Sequence, residues 1–414
     1  MKNDNQFNPN AFNLLKERGF IHTASHEAEM KRALETSPIT FYLGIDPTAD
    51  NLHIGHFFAL QIFRILQDHG HNGILLLGNA TAMIGDPSFK NDMRKMMTQE
   101  EVNNNARGIN ALLHRFIDTK KATIVHNADW FKTQLFVPFM RNVGTHFNVS
   151  EMLSKDCYKN RLGKGLTFLE MGYMLMQGYD FVHLNQAHGC TLQLGGSDQW
   201  SNILAGVELG RKMALDNGNQ RPLMMGFCNP LLVKADGTKM GKTESGTLWV
   251  SSSKTGAYDF YQYFVNVFDE DVQRLLTFFT SMPIDEIKTI CKKDIVASKK
   301  LMAFEVTKKI HGEDAARQAE LTASMLFSKQ GLAPVSGTPT ETIALPVGSL
   351  LVDILAMTSI IKSKREAREL ITDSAILVNN ERITDVNFAP TMPEFFIKKG
   401  KKTFLKVVLK GEQK

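Results

Sequence analysis

The stretch FYLGIDPTADNLHIGH, residues 41–56, constrains the fold of this 414-residue chain more than any other. An apolar run from Ile39 to Ile45 breaks at Asp46-Pro47-Thr48, and His53-Ile54-Gly55-His56 then opens a buried-helix pattern from Phe57 to Leu66. The order is strand, loop, helix. A helix start presents unpaired backbone N–H groups and the positive end of its dipole, and Gly55 lets a flat group approach the backbone, so the site suits a nucleotide phosphate. His53 and His56, three apart, share a helical face from which ring N–H groups donate to phosphoryl oxygens gaining charge in a transition state. Capping or solvated histidines satisfy the same tetrapeptide. A helical zinc pair is spaced four apart with a Glu between, and no third ligand is evident.

The strand-and-helix rhythm continues downstream. Gly73 to Gly78 encloses a short apolar run suited to a buried parallel strand, and Asn79 to Pro87 follows at the carboxyl edge, where open α/β sheets place ligands. There Asp86 either faces a cation such as a substrate ammonium or caps its own turn. Lys90 and Arg94 come next, as mobile charges beside a nucleotide or as solvated ones. Residues 98–117 read as helix and Ala122 to His126 as a third strand, with helical patterns from Val137 to Asp156 and from Leu166 to Gln177. Tyr173 and Gln177, four apart, form with Asp180 a polar stripe amid methionines and leucines, and such groups must bond either one another or a ligand. Cys190 to Leu194 is another strand, and Gly195-Gly196-Ser197-Asp198-Gln199-Trp200 enters a helix up to Lys212. This second glycine-rich entrance makes a two-sided nucleotide cleft, with a carboxylate for ribose hydroxyls. Residues 234–246, KADGTKMGKTESG, carry Lys239 and Lys242 on a glycine-rich loop, either a lid that stabilises a departing pyrophosphate or a solvated basic turn.

Composition bounds the rest. The length suggests two or three domains at roughly 100–200 residues each. Nowhere do 18 apolar residues run together and no secretory segment opens the chain, as in a soluble cytoplasmic protein with no membrane partner. Cys157, Cys190, Cys228 and Cys291 are widely spaced, which suggests reduced thiols and no zinc knuckle. Residues 345–414 hold 12 Lys/Arg against 8 Asp/Glu, most of the net charge of +5, so that end suits a polyanion.

Together, His53-Ile54-Gly55-His56 and the later Lys239-Met240-Gly241-Lys242-Thr243 resemble the paired signature of class I aminoacyl-tRNA synthetases. Within that class YLGIDPTADNLHIGH, IGDPS, YMLMQGYDF, LQLGGSDQW and KADGTKMGKTESGT resemble the bacterial tyrosyl-tRNA synthetase family over nearly the whole chain. The resemblance implies that Tyr42 and Asp180 bond the tyrosine hydroxyl, and that Asp86, Tyr173 and Gln177 hold its ammonium. His53 and His56, at the start that includes Gly55, would bind ATP phosphates. Gly44, Asp46, Gly196 and Asp198 would take the ribose and adenosine side, and Gln199 the substrate carboxyl. Lys90, Arg94, Lys239, Lys242 and Thr243 would surround the pyrophosphate. Leu43 and Ala59 stand where some members have Cys and Thr, and Met240-Gly241 lies between the Phe-Gly of this family and the Met-Ser of the wider class.

The fold class implied is α/β: a Rossmann-type parallel-sheet catalytic domain with a helical insertion (1–230), a mobile lysine loop (231–255), a helical anticodon-binding domain (256–328), a Gly/Pro/Ser/Thr-rich linker (329–344) and a small α+β RNA-binding domain (345–414). The last resembles the ribosomal S-four-like fold, with Asn380 in place of its turn glycine and Lys362, Lys364, Arg365 and Arg368 on RNA phosphates. By the same resemblance the chain activates tyrosine with Mg-bound ATP and passes it to tRNA(Tyr) as a homodimer, with no protein-bound metal. A tryptophan-specific relative and an RNA-binding protein with lost catalysis are the rivals. The Tyr42–Asp180 pair argues against the first, and the intact His and Lys residues against the second.

Overall fold

The computed structural model describes residues 7–88, 96–163, 165–216, 218, 223–243, 246–326, 340–379, 381–400 and 403–411. They form two compact units, Met1–Ser251 with Phe268–Lys293, and Ser252–Val267 with Asp294–Lys414. Among the described residues no helix is long and apolar enough to cross a membrane.

The first unit is built on six strands: β1 (Thr23–Ala24), β2 (Thr40–Ile45), β3 (Asn72–Leu77), β4 (Ala122–His126), β5 (Cys190–Gly196) and β6 (Met225–Asn229). Their spatial order is β1-β6-β5-β2-β3-β4, and all neighbours run parallel except β1 against β6. From β2 the chain winds outward through β3 to β4, and from β5 it winds the other way to β6. The β2/β5 boundary is therefore the topological switch point, outside whose carboxyl ends a doubly wound sheet opens its crevice. Apolar β2 and β3, with Phe41, Leu43, Ile45, Leu75 and Leu77 buried, need cover on both faces, and the helices supply it.

Two of those helices set the crevice. Ile54–Asp68 buries Phe57, Phe58, Leu60, Phe63 and Leu66. Phe168–His188 starts at a capping box in which Thr167 accepts from the Glu170 N–H while the Glu170 carboxylate takes the Thr167 N–H, and it ends on Gly189 in the left-handed region at φ 62°. It runs past Gln177, so Asp180 lies on the same helix as Tyr173.

Several sequence expectations change. The helical pattern from Val137 to Asp156 is broken into Phe136–Asn142, a 3-10 turn at Gly144–His146, Val149–Leu153 and Asp156–Leu162, because Asn148 caps a fresh start by accepting from the Glu151 N–H at 3.2 Å. Residues 268–293, expected in the helical domain, pack in the first unit. Phe278 and Phe279 join Phe20, Phe57 and Phe58, and the buried Arg18 guanidinium donates to the carbonyls of Thr277, Thr280 and Met282. The third concerns β6, entirely buried beside β5, which was not expected as a strand.

Lys242–Thr243 (β7) and Gly246–Thr247 (β8) make a short antiparallel pair at the lysine loop. In the second unit Ala257–Val265, Ile295–His311 and Glu313–Leu326 pack together. Its C-terminal sheet has β9 (Thr340–Ile343), β10 (Ile376–Val378), β11 (Glu381–Ile383), β12 (Glu394–Lys399) and β13 (Thr403–Leu409) in the order β11-β10-β12-β13-β9. The strand at 340–343 lies within the stretch read as linker; it is held parallel to β13. Asn380 lies outside the described residues, and its neighbour Asn379 adopts the left-handed region at φ 47°. The basic helix is Lys364–Thr372, whose Ala367 and Ile371 face a core with Leu351, Ile376, Ile397 and Val407. Lys362, Lys364, Arg365 and Arg368 are all exposed, with Lys364 paired to Asp353 at 2.7 Å and Arg365 to Glu369 at 2.9 Å.

Candidate active site

A cavity of about 850 Å³ opens at the switch point. Tyr42, Gly44, Asp46, His53, Gly55, His56, Asp86, Tyr173, Gln177, Asp180, Gly196, Asp198, Gln199 and Lys239 all line it, as do the divergent Leu43 and Ala59. Residues from five separate stretches of sequence thus meet in one place. Lys90 and Arg94 lie outside the described residues, as do the side chains of Lys242 and Thr243.

The floor is a buried polar network. Tyr42, on β2, is 1% exposed against Phe181, and its hydroxyl has no hydrogen-bond partner among the described residues. Burial, and then the Asp180 carboxylate, push this phenol well above its ordinary pKa, so it stays a donor. Asp180 is 3% exposed and accepts from Trp130 Nε1 at 2.9 Å and Asn127 Nδ2 at 3.1 Å. Burial moves its pKa far above the usual carboxylate range, against the pull of those two donors. Asn127 also donates to Thr81 Oγ1 at 3.0 Å, and that hydroxyl donates to Asp46 Oδ1 at 2.7 Å. Tyr173 donates to Asp46 Oδ2 at 2.8 Å. The Asp46 carboxylate, expected on the nucleotide side, is thereby turned toward the polar stripe. Gly78 makes this possible, since a Cβ there would sit 2.0 Å from Asp46 Oδ1.

Asp86 sits between the floor and the second entrance. Its Oδ1 takes the Ser88 N–H at 3.0 Å, the turn-capping role, while Oδ2 takes Gln199 Nε2 at 2.7 Å. Gln199 in turn accepts from Asn202 at 3.2 Å. Asp86 thus caps its turn and also lines the cavity. The Gln177 Oε1 is buried with no partner among the described residues, and so is that of Gln193 on β5, paired in register with Tyr42.

The rim is the start of the Ile54–Asp68 helix. His53 is its N-cap, with Nδ1 accepting from the N–H groups of Gly55 (3.1 Å) and His56 (3.2 Å), and His56 Nδ1 accepts the His53 N–H at 3.3 Å. The two rings stack at 3.7 Å. Capping and ligand binding are therefore not alternatives. A ring whose Nδ1 accepts must carry its proton on Nε2, so each histidine is left with one outward donor. Burial, then the charge on Lys239, lower the His53 pKa to about 4, and burial, His53 and Lys239 lower that of His56 well below its ordinary value. Both rings are neutral near pH 7. The lysine loop returns to this helix start, with Ile54 N–H donating to Leu248 O at 3.2 Å, Leu248 N–H to Gly241 O at 2.7 Å, and Val250 N–H to Leu52 O at 3.0 Å. Gly241 has φ 88°, and a Cβ on it would lie 2.5 Å from Ile54 Cγ2, so no other residue fits without displacement. Lys239 is exposed at this edge.

Thr81, Asn127 and Trp130 complete the floor without any signal in the sequence motifs, as does Gln193, which lies within LQLGGSDQW but has no role assigned there. Asn127 and Trp130 follow β4, where an ordinary strand-to-helix turn was all that the residue pattern displayed.

Residues 34–328 match the family described as tRNA synthetases class I (W and Y), and residues 335–407 match the tyrosine–tRNA ligase SYY-like C-terminal domain. The tyrosine–tRNA ligase of Clostridium botulinum (strain Alaska E43 / Type E3) is 47% identical over 409 residues, covering 96% of this chain and 99% of the relative. Among solved structures, a C-terminally truncated mitochondrial tyrosyl-tRNA synthetase of Aspergillus nidulans superposes with a TM-score of 0.68 at 28% identity, covering 77% of this chain and 94% of that one. Tryptophanyl-tRNA synthetase of Aeropyrum pernix K1 has a TM-score of 0.55 at 16% identity, covering 74% of this chain and 86% of that one, a likeness of fold.

Proposed function

The chain belongs to the class I tRNA synthetases of the tryptophan and tyrosine family, and we propose on that premise a division of labour among its residues. Its reaction is that of the tyrosine–tRNA ligases: ATP activates tyrosine to tyrosyl-adenylate and pyrophosphate, and the tyrosyl group then passes to tRNA. Tyr42 and Asp180 take the phenolic hydroxyl of the substrate. Asp86, Tyr173 and Gln177 hold its ammonium, with Asp46 orienting Tyr173, and Gln199 lies at the carboxyl. Gly44, Gly196 and Asp198 receive the nucleoside. ATP enters as its magnesium complex, and the ion leaves with the pyrophosphate.

The tyrosine carboxylate attacks the α-phosphorus and no side chain acts as nucleophile. The protein's part is to align the two substrates and stabilise charge that grows on the phosphates. Neutral His53 and His56 donate from Nε2, and Lys90, Arg94, Lys239, Lys242 and Thr243 surround the departing pyrophosphate.

The observation that carries the choice of tyrosine is the buried Tyr42 hydroxyl, without a partner among the described residues, beside the buried Asp180 carboxyl. An indole offers no hydroxyl to meet both, and a buried polar group left unmatched costs about 1–3 kcal/mol. Pyrophosphate–ATP exchange with tyrosine, phenylalanine and tryptophan tests it. Asp180→Ala should lower the tyrosine-to-phenylalanine ratio of kcat/KM roughly 10- to 100-fold, the cost of leaving buried hydroxyls unmatched. A ratio that stays put while both substrates weaken makes Asp180 a structural residue.

Residues 345–414 serve tRNA, and Lys362, Lys364, Arg365 and Arg368 meet its phosphates; this reading is supported by the exposure of all four. A cytoplasmic location is supported by four cysteines, none of them in a disulfide and three of them buried. A homodimer is supported by a dense apolar patch in which Leu135, Phe136, Val137, Val149 and Phe168 are each more than half exposed, around an apolar pocket of about 430 Å³. Sedimentation should give the mass of two chains, and a single-chain mass at micromolar concentration contradicts it.

A further inference from the structure

The segment that carries Lys239 is a closed turn. The Lys234 N–H donates to Thr238 O at 2.8 Å, the Gly237 N–H to Lys234 O at 2.9 Å, and the Met240 N–H to Leu232 O at 2.8 Å. Val233 and Lys239 pair across it, and the Asp236 carboxylate accepts both the N–H (2.8 Å) and the hydroxyl (2.6 Å) of Thr238. A turn so tied moves as one piece, so whatever holds its base sets where the Lys239 stem leaves the backbone.

The base is held from a helix far along the chain. Asp271, in Asp269–Phe279, is 3% exposed, and its Oδ2 accepts the Ala235 N–H at 3.0 Å. Its Oδ1 takes Arg274 Nη2 at 2.5 Å, and the same guanidinium donates to the carbonyl of Val233. One carboxylate and one guanidinium thus clamp the residues on either side of Lys234. The helix under the clamp is fixed in turn, by Phe278 and Phe279 against Phe20, Phe57 and Phe58 and by Arg18 on its terminal carbonyls. Phe57 and Phe58 belong to the helix that His53 caps. Loop and histidines are therefore referred to one rigid body.

We infer that Asp271 and Arg274 are positioning residues for the lysine loop: they set the stem from which Lys239 reaches the departing pyrophosphate. The inference rests on the reading of that loop given above. Neither residue lines the cavity, so neither touches substrate. Their loss should act on the chemical step alone, where a displacement of about 1 Å is enough to cost on the order of 10²-fold.

The experiment is stopped-flow measurement of tyrosyl-adenylate formation in the full-length protein, with tyrosine affinity measured alongside. Asp271→Leu removes the acceptor for both Ala235 and Arg274, and should slow activation about tenfold or more while tyrosine affinity stays within about twofold. Asp271→Asn keeps an oxygen for the Ala235 N–H and should recover part of the rate. Arg274→Ala gives the second reading should Asp271→Leu fail to fold, with a rate loss in the same direction. Combined with Lys239→Ala, either variant should add little, because both act through the same ammonium. Slowing that simply multiplies with that of Lys239→Ala, or a loss confined to tyrosine affinity, overturns the inference. If Lys239→Ala itself leaves the rate unchanged, the reading of the loop fails instead.

Discussion

At the floor of the cavity, Asp180, Asn127, Trp130, Thr81 and Asp46 are buried or half-buried and bonded side chain to side chain, and the buried Tyr42 hydroxyl has no partner among the described residues. At the rim the donors are neutral rings pinned by backbone N–H groups and an exposed lysine on a turn. On the reading proposed above, the two ends solve different problems. In buried surroundings a mismatch is expensive, so the floor discriminates one side chain from another. The rim meets a polyanion whose charge shifts during reaction, and gains from donors that strengthen only as that charge develops. On that reading specificity belongs to the floor and rate to the rim, and a substitution at either end should move one and leave the other.

The largest separation comes from neither end. Removing residues 345–414 should leave tyrosine activation intact and lower tRNA charging by orders of magnitude at physiological salt, because the phosphate contacts go with it. Exchange and charging assays on the same preparation check this, and equal loss of both in a folded truncation would refute the assignment. Next, Lys239→Ala should lower the activation rate about 10²-fold, the cost of one donor at a charged transition state, with tyrosine affinity hardly changed. Stopped-flow fluorescence decides it; an effect on affinity alone would move the loop to the floor's side of the comparison.

Titration offers a subtler contrast. His53 has a pKa of about 4 in the folded chain against 6.5 for an ordinary imidazole, so the unfolded chain binds the proton more tightly. The stability that the neutral, buried ring contributes is complete above pH 6.5 and is lost as pH falls from there toward 4, below which nothing further changes. His56, also lowered, adds in the same sense. Urea midpoints measured from pH 7.5 to 4 should fall, and fall less in His53→Asn; the rate of activation should have no histidine limb between about pH 5 and 8. An inflection near 6.5 that disappears in the variant would mean that the ring is charged at work.

How much of this was legible beforehand follows the range of the interactions. The helix start at His53 and the glycine-bounded run at Gly73 to Gly78 are set by neighbours in sequence, and residues 41–56 and 73–78 display them directly. The Asp46 carboxylate could not be read, because its direction is decided by Thr81 and Tyr173, 35 and 127 residues away. The same holds for Trp130, whose bond to Asp180 spans 50 residues and exists only once β4 lies two strands from β2. Residues 268–293 were legible as helix, but the aromatic cluster they join is assembled from Phe20 and the helix of His53, far earlier in the chain. β6 is not legible because MGFCN, with a Gly and an Asn, has neither alternation nor length.

The claim that the floor is preassembled for a hydroxyl is tested most directly by a residue that supports Asp180 from its far side. Trp130→Phe keeps an aromatic ring and removes the Nε1 donor 2.9 Å from Asp180 Oδ1. One hydrogen bond of about 1 kcal/mol is about a fivefold factor, so the tyrosine-to-phenylalanine ratio of kcat/KM in pyrophosphate exchange should fall about fivefold while the KM for ATP holds. An unchanged ratio, or a change that appears in the KM for ATP instead, would contradict the account.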